Sequence, residues 1–324
     1  MKAPSFWSDK GFISTAFMPL SFIYKGLSKW RSLQTQSYHS PKPVICVGNL
    51  TSGGTGKTPI CAALAQMIQQ QGLHPVILTR GYGGNVSGPI LVDKNKHKPA
   101  QIGDEPRLLA QYAPVVIARN RAKGAKFIEN TMRCDVIIMD DGLQNPQLAK
   151  DLSIGVFDGR VGVQNGRLFP AGPLRTSLKS GKKMLDLVLI NGKDTQNIKQ
   201  IMSPLPCLGF HLLPQKTQAI SPQAVIAFAG IGQPKRFFDL LDQQGFTLTA
   251  QYEFGDHHAY SEAELKTLKD KAEKSNARLI TTEKDWVRLA PSWQKLIDYY
   301  PVHLDMTDKD KDTFFKQIIA TINS

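Results

Sequence analysis

The sequence predicts an α/β protein in which a mostly parallel sheet carries helices on both faces and a smaller unit of the same kind follows. Three observations carry this. Short β-branched runs recur and are continuously apolar rather than alternating, as strands covered on both faces are. Helix-like segments lie between them, in the β–α order that builds parallel sheets through crossovers. A glycine-rich turn joins the first of these runs directly to a helix. The length of 324 residues suits two domains at roughly 100–200 residues each. Hydrophobic residues at 41% and charged residues at 21% are those of a folded chain, which excludes a disordered tail, a collagen-like repeat and a disulfide miniprotein.

The chain opens on an apolar stretch, Phe12 to Tyr24, with Pro19 inside it. It is too short to span a bilayer, which takes about 20 apolar residues, and offers no secretory cleavage site. Lys2 and Lys10 precede it, Lys25, Lys29 and Arg31 follow, and Trp7 and Trp30 mark its ends. An apolar centre with aromatic ends and basic flanks describes a helix in the membrane interface; a helix packed on the domain surface fits the same residues. Strands are then expected at 43–48, 75–79, 114–118, 135–140, 152–157 and 186–190. Helices are expected from Thr58 to Gln71, Asp104 to Tyr112 and Arg121 to Thr131, the first closed by Gly72. The proline-rich segment 203–223 reads as a connector. Beyond it the pattern is sparser: strands at 225–230, 247–253, 278–282 and 302–304, with helices from Pro234 to Gln244 and Ser261 to Lys274. The expected domains are an N-terminal interfacial helix over 1–34, a larger domain over 35–210 and a smaller α/β domain over 211–324. Cys46, Cys61, Cys134 and Cys207 form no CxxC pair and read as free thiols of a reducing compartment.

The sharpest chemical signal is GNLTSGGTGKTP, residues 48–59, between a strand and a helix. Gly53, Gly54 and Gly56 let backbone N–H groups of Thr51 to Thr58 (Ser52 and Thr55 among them) converge on phosphate oxygens. Lys57 reaches the terminal phosphates and the Thr58 hydroxyl suits Mg²⁺. This is a P-loop with Thr51 where the usual pattern has its first glycine. Such a loop needs an acid on a neighbouring strand, and DVIIMDDG ends an apolar run on Asp140 and Asp141. A second acidic pair, Asp104-Glu105, reads either as the dipole-facing first turn of a helix or as part of the site. Asp256-His257-His258 reads as a carboxylate–imidazole arrangement or a polar turn; no spacing here supports zinc. NGKD at 191–194 has the wrong order for a guanine reader. The net charge of +13 asks for an anionic partner, and the basic runs lack the interleaved aromatics of single-strand binding, so phosphorylated substrate or anionic lipid is expected rather than nucleic acid.

Together, GNLTSGGTGKTP, RGYGG (80–84), GDEP (103–106), DDGLQ (140–144), NGRLFPAGPLR (165–175), AFAGIGQPKRFF (227–238), FGDHHAY (254–260) and TTEKDWVRL (281–289) resemble the tetraacyldisaccharide 4′-kinase family of lipid A biosynthesis. The resemblance runs nearly the whole chain, in order, with Asn145 departing where the family often has His. It implies a P-loop α/β/α sandwich and a smaller α/β/α domain joined by a β-linker, with ATP between them. It also implies transfer of the γ-phosphoryl of ATP, with Mg²⁺, to the 4′-hydroxyl of a tetraacyldisaccharide 1-phosphate, giving lipid IVA. The same resemblance makes Asp104 the base, with His257 orienting it and Lys57 neutralising phosphate charge. Thr58, Glu105, Asp140 and Asp141 would set the metal shell. Tyr82, Arg121, Gln144, Asn165 and Arg167 would face the lipid A disaccharide, with Arg175 a further basic candidate. A peripheral seat on anionic lipids at the cytoplasmic face of the bacterial inner membrane follows, and a monomer is expected. The competing reading is a membrane-associated deviant P-loop ATPase acting on a protein partner, which would need no base at Asp104.

Overall fold

The computed structural model describes residues 4–94, 96–214, 223–256 and 258–324. They fall into two compact units, one formed by the chain up to Leu212 together with Leu304–Ser324, the other by Leu213–His303. In the larger unit a short 3₁₀ turn at Ser5–Trp7 leads into α1 (Phe12–Ala16) and α2 (Met18–Leu33). Then come β1 (Val44–Gly48), α3 (Lys57–Gln70), β2 (Pro75–Thr79), β3 (Ile90–Leu91), α4 (Pro99–Ile102), α5 (Asp104–Leu109), β4 (Val115–Ile117) and α6 (Arg121–Thr131). They are followed by β5 (Val136–Asp140), β6 (Leu152–Asp158), α7 (Leu178–Lys182), β7 (Leu187–Asn191), α8 (Ile198–Met202) and β8 (Cys207–Pro214). The smaller unit holds β9 (Ala224–Ala229), α9 (Pro234–Gln243), β10 (Thr247–Glu253), α10 (Glu262–Lys274), β11 (Arg278–Thr282), α11 (Glu283–Trp286), α12 (Pro291–Gln294) and β12 (Asp298–Tyr300). The chain ends on β13 (Val302–Asp305) and α13 (Asp308–Ile322).

The strands form a nine-stranded sheet, ordered β13-β8-β7-β6-β1-β5-β2-β4-β3, and a four-stranded sheet, ordered β10-β9-β11-β12. Pairing from β8 through to β4 is parallel, and the two-residue β3 runs antiparallel to β4. Because side chains alternate across a strand, each central strand feeds two cores. Ile45 and Val47 face α3 with Ile60, Leu64 and Ile68, whereas Val44 and Cys46 face α6 and α8 with Ala125, Ile128, Ile198 and Met202. The smaller sheet repeats this: Val225, Ala227 and Ala229 pack on Phe237, Phe238 and Leu241 of α9, and Ile226 and Phe228 on Leu265 and Leu268 of α10. Every residue of β1, β2 and β5 is buried, which is why these strands read as unbroken apolar runs.

The structure departs from the sequence reading at its edges. The connector 203–223 contains strand β8, and α13 returns to the larger unit, setting Phe314 and Ile318 into the core beside α3. Residues 304–324 therefore pack with the larger unit, whereas the sequence reading grouped 211–324 together. Residues 12–33 form two helices broken at Phe17, because Pro19 sits in the first turn of α2, where its missing N–H costs nothing. Among the described residues no helix is long and apolar enough to cross a membrane.

Candidate active site

The site lies at the C-terminal edge of the nine-stranded sheet, where parallel α/β sheets place ligands. Strand β1 runs into residues 49–56 and straight into α3, whose first residue is Lys57. Gly56, immediately before the helix, has φ +97°, a conformation that only glycine adopts freely. Residue 49 braces the turn from inside: the fully buried Asn49 donates its amide N–H to the Gly53 carbonyl (3.3 Å) and accepts at its own carbonyl from Gln144 Nε2 (3.0 Å). Outside, the loop pairs with residues 173–175. Ser52 N–H donates to Pro173 O and Arg175 N–H to Leu50 O, both at 2.8 Å. The loop is thus shaped by its own backbone and by two flanking segments, with its N–H groups at the head of a long helix.

The acids of β5 differ sharply. Asp140 is buried, accepts from Thr79 Oγ1 at 3.1 Å, and has the Cys61 thiol at 3.7 Å. Burial, then the charges of Glu105 and Asp141, push its carboxyl up to about 7. Asp141 follows with φ +50° and turns toward the loop. Both its oxygens accept from Arg175, at 2.9 and 3.0 Å, and Lys57 Nζ stands 3.8 Å away. Burial opposes its charged form, but Lys57 and Arg175 outweigh it and hold the carboxyl below its ordinary range. Lys57, Asp141 and Arg175 thus form one charged cluster at the mouth of the glycine-rich loop.

GDEP and RGYGG meet on the same edge. A side chain at Gly103 (φ +84°) would stand 2.2 Å from the Tyr82 carbonyl, so this glycine lets the two turns touch. Asp104 and Glu105 open α5 directly after it, and Tyr82 is 69% exposed. The other expected substrate residues are buried or half-buried. Arg121 is buried, its guanidinium donating to the carbonyls of Ala118 and Asp140, and burial lowers its pKa to about 10. Asn165 is buried too, donating to Asp9 O (3.0 Å), Ser14 Oγ (2.9 Å) and Ala171 O (3.0 Å) and accepting from Arg167 N–H (3.0 Å). Arg167 reaches Ser14 and Thr15 hydroxyls at 2.9 Å. These three support the backbone around the site, while Tyr82 is displayed. Asn49 was missed by sequence reasoning; an apolar run closing on a polar residue before glycines carries no local sign of its inward turn. Asn191, at the end of β7, was passed over with NGKD, yet its amide lies 3.4 Å from the space beside Gly56 that a side chain would fill.

In the smaller unit the three remaining motifs gather at the C-terminal ends of β9, β10 and β11. Asp285 is wholly buried and accepts from Gly230 N–H (3.0 Å), Thr282 Oγ1 (2.6 Å) and Arg288 (2.7 Å). Burial and then the charge of Asp285 push the Tyr260 phenol upward. His258 meets Glu264 of the α10 capping box at 3.0 Å, with its ring tilted against Phe254 and edge-on to Tyr260. His257 lies outside the described residues.

The protein-family model described as tetraacyldisaccharide-1-P 4′-kinase matches residues 13–323. A protein named tetraacyldisaccharide 4′-kinase from Rhodospirillum rubrum is 40% identical over 311 residues, covering 94% of this chain and 93% of its own. Another of that name from Paramagnetospirillum magneticum is 42% identical over 309 residues, covering 94% of each. The crystal structure of LpxK from Aquifex aeolicus in complex with ATP superposes with a TM-score of 0.77 at 25% identity, covering 96% of this chain and 99% of that one.

Proposed function

The chain belongs to the tetraacyldisaccharide-1-P 4′-kinase family and has its 4′-kinase role in lipid A biosynthesis; from that premise we propose how its residues divide the work. The donor is ATP, held on the loop of Thr51 to Thr58 with Lys57 against its terminal phosphates. The single observation that carries this is the cluster of Lys57 and Asp141 at 3.8 Å, at the junction of a glycine-turned loop and a helix N-terminus. Positioning and charge do most of the work of phosphoryl transfer, and this cluster supplies both at the donor.

The acids suit Mg²⁺. Among the described residues no three or more His, Cys, Asp or Glu side chains gather to hold a metal by themselves. Mg²⁺ in kinases takes one or two carboxylates and completes its shell from phosphates and water, so this donor set fits it. Asp140 is pushed up first by its burial and then by the charges of Glu105 and Asp141, acids near enough to one another for a cation to relieve. Thr58, Asp140, Asp141 and Glu105 would hold it; when bound, it neutralises charge on the transferring phosphate. Asp104 takes the proton of the 4′-hydroxyl. His258 is engaged by Glu264 within its own unit, which supports His257 as the histidine that acts with that base. Tyr82, exposed beside GDEP, meets the disaccharide, while Arg121, Gln144, Asn165 and Arg167 hold the surrounding backbone.

The protein sits peripherally on the cytoplasmic face of the inner membrane through its first two helices. Phe12, Phe22, Leu27, Trp30 and Leu33 are each more than half exposed there, and Lys25, Lys29 and Arg31 beside them suit anionic headgroups. The test is transfer of labelled γ-phosphate from ATP to tetraacyldisaccharide 1-phosphate in mixed micelles. Wild type labels the lipid. Lys57→Ala is expected to lose transfer and nucleotide binding together, and Asp104→Asn to lose at least about 100-fold in transfer while binding nucleotide normally. Full transfer by Asp104→Asn would remove it as the base.

A further inference from the structure

The segment 165–175 is held from two sides. On its inner side Pro173 O and Arg175 N–H pair with Ser52 and Leu50 of the phosphate loop, and the Arg175 side chain holds Asp141. On its outer side the N-terminal helices address the same segment. Trp7 Nε1 donates to Pro170 O at 3.0 Å. Ser14 Oγ donates to Ala171 O at 2.7 Å while accepting from Asn165 and Arg167. Ser21 Oγ donates to Leu168 O at 2.9 Å and accepts from Ala171 N–H at 3.2 Å. Tyr24 OH donates to Arg175 O at 3.2 Å.

The polarity of these helices is inverted relative to an ordinary surface helix. Ser14 and Ser21 are buried at 0% and 7% exposure, while Phe22 and Leu27 stand out at 64% and 61%. A buried hydroxyl costs free energy unless it is bonded, and each of these is bonded to the strap at 165–175. An anchor needs only the apolar outer face. The inner serines have no part in anchoring.

We propose that the N-terminal helices form part of the nucleotide site's scaffold. Ser14, Ser21 and Tyr24 are positioning residues that set the phosphate loop and Arg175 through the strap. Nucleotide affinity then depends on these helices with no membrane or lipid substrate present. The inference rests on the reading of residues 51–58 as the nucleotide-phosphate site.

The experiment uses the full chain in detergent without lipid substrate, with Mg²⁺ and a fluorescent ATP analogue displaced by ATP. Ser21→Ala and Tyr24→Phe are expected to weaken ATP binding roughly three- to tenfold, the worth of one or two net hydrogen bonds. Their co-sedimentation with phosphatidylethanolamine–phosphatidylglycerol vesicles should match wild type. The double variant Phe22→Ser with Leu27→Ser should do the reverse, leaving vesicles while keeping ATP affinity. Tyr24→Phe keeps the ring packed against Phe169, so it decides the matter if Ser21→Ala melts early. ATP affinity within twofold of wild type for Tyr24→Phe and a folded Ser21→Ala overturns the scaffold. Lys57→Ala separates the two premises: unchanged affinity there sinks the phosphate-loop reading, whereas loss there alone sinks only the scaffold.

Discussion

Replacing Asp285 by Ala tests whether the TTEKDWVRL motif acts through structure or through chemistry. Asp285 is wholly buried and Arg288 is 6% exposed at the side chain, with 2.7 Å between them. The substitution removes the acceptor of three donors and leaves the Arg288 guanidinium, which also donates to Gly230 O at 3.1 Å, without the charge of Asp285. Breaking a buried pair in this way costs about 3–5 kcal/mol. Tenfold in an equilibrium is about 1.4 kcal/mol, so local opening of the smaller unit should rise roughly 100- to 3,000-fold. Amide hydrogen exchange reads this residue by residue. Protection of Ile226–Ala229 in β9 and Leu279–Thr281 in β11 should fall by that factor, while Ile45–Val47 in β1 and Ile137–Met139 in β5 keep theirs. Asp285→Asn, which retains an acceptor for Gly230 N–H but not the charge, should fall between. Unchanged protection in β9 and β11 with lost transfer would refute the reasoning and make Asp285 a participant in the reaction.

Two further outcomes follow from the larger unit. Arg175→Ala leaves Asp141 facing Lys57 alone; charge-assisted hydrogen bonds to a partner about a third exposed contribute roughly 1–2 kcal/mol, so kcat/KM should drop about 5- to 30-fold. Steady-state kinetics with saturating lipid check this, and an unchanged value would dismiss the clamp. Chelation of divalent cations should abolish transfer and weaken ATP binding measured by displacement, both restored by added Mg²⁺. Transfer that persists under chelation would remove the cation from the proposed site.

The centre of the fold was legible because its physics is local. Strands β1, β2 and β5 are buried on both faces, so they had to be unbroken apolar runs, and the loop between β1 and α3 needs glycine where φ is positive. Strand β8 was hidden because Pro204, Pro206 and Pro214 surround it and read as a connector. Helix α13 begins DKDKD, and only Phe314 and Ile318 are buried, too thin a stripe to announce itself. Lys57 and the strand-end acid Asp141, picked from residue type because phosphate chemistry needs a cation and an acid, come within 3.8 Å of each other. Side-chain orientation was not legible. Arg121 was expected to face the disaccharide, yet its partners are two backbone carbonyls that the sheet and α6 bring together. Asn165 likewise stands among residues that in sequence precede a basic run, and its donors are spent on a segment more than 150 positions away.

The position of β13 has a consequence for synthesis. This strand lies beside β8 in the nine-stranded sheet, and the roughly 90 residues between them in sequence belong to the other unit. A ribosome adding about 5–20 residues per second takes roughly 5–20 s to cross that span. Throughout it, β8 is an open strand edge on a sheet whose core also lacks Phe314 and Ile318. The nascent chain therefore emerges with its apolar N-terminal helices, and an unfinished sheet behind them, both uncovered at once. A truncation that removes β13 and α13 takes away the last piece of that sheet to arrive, together with Phe314 and Ile318 of its core.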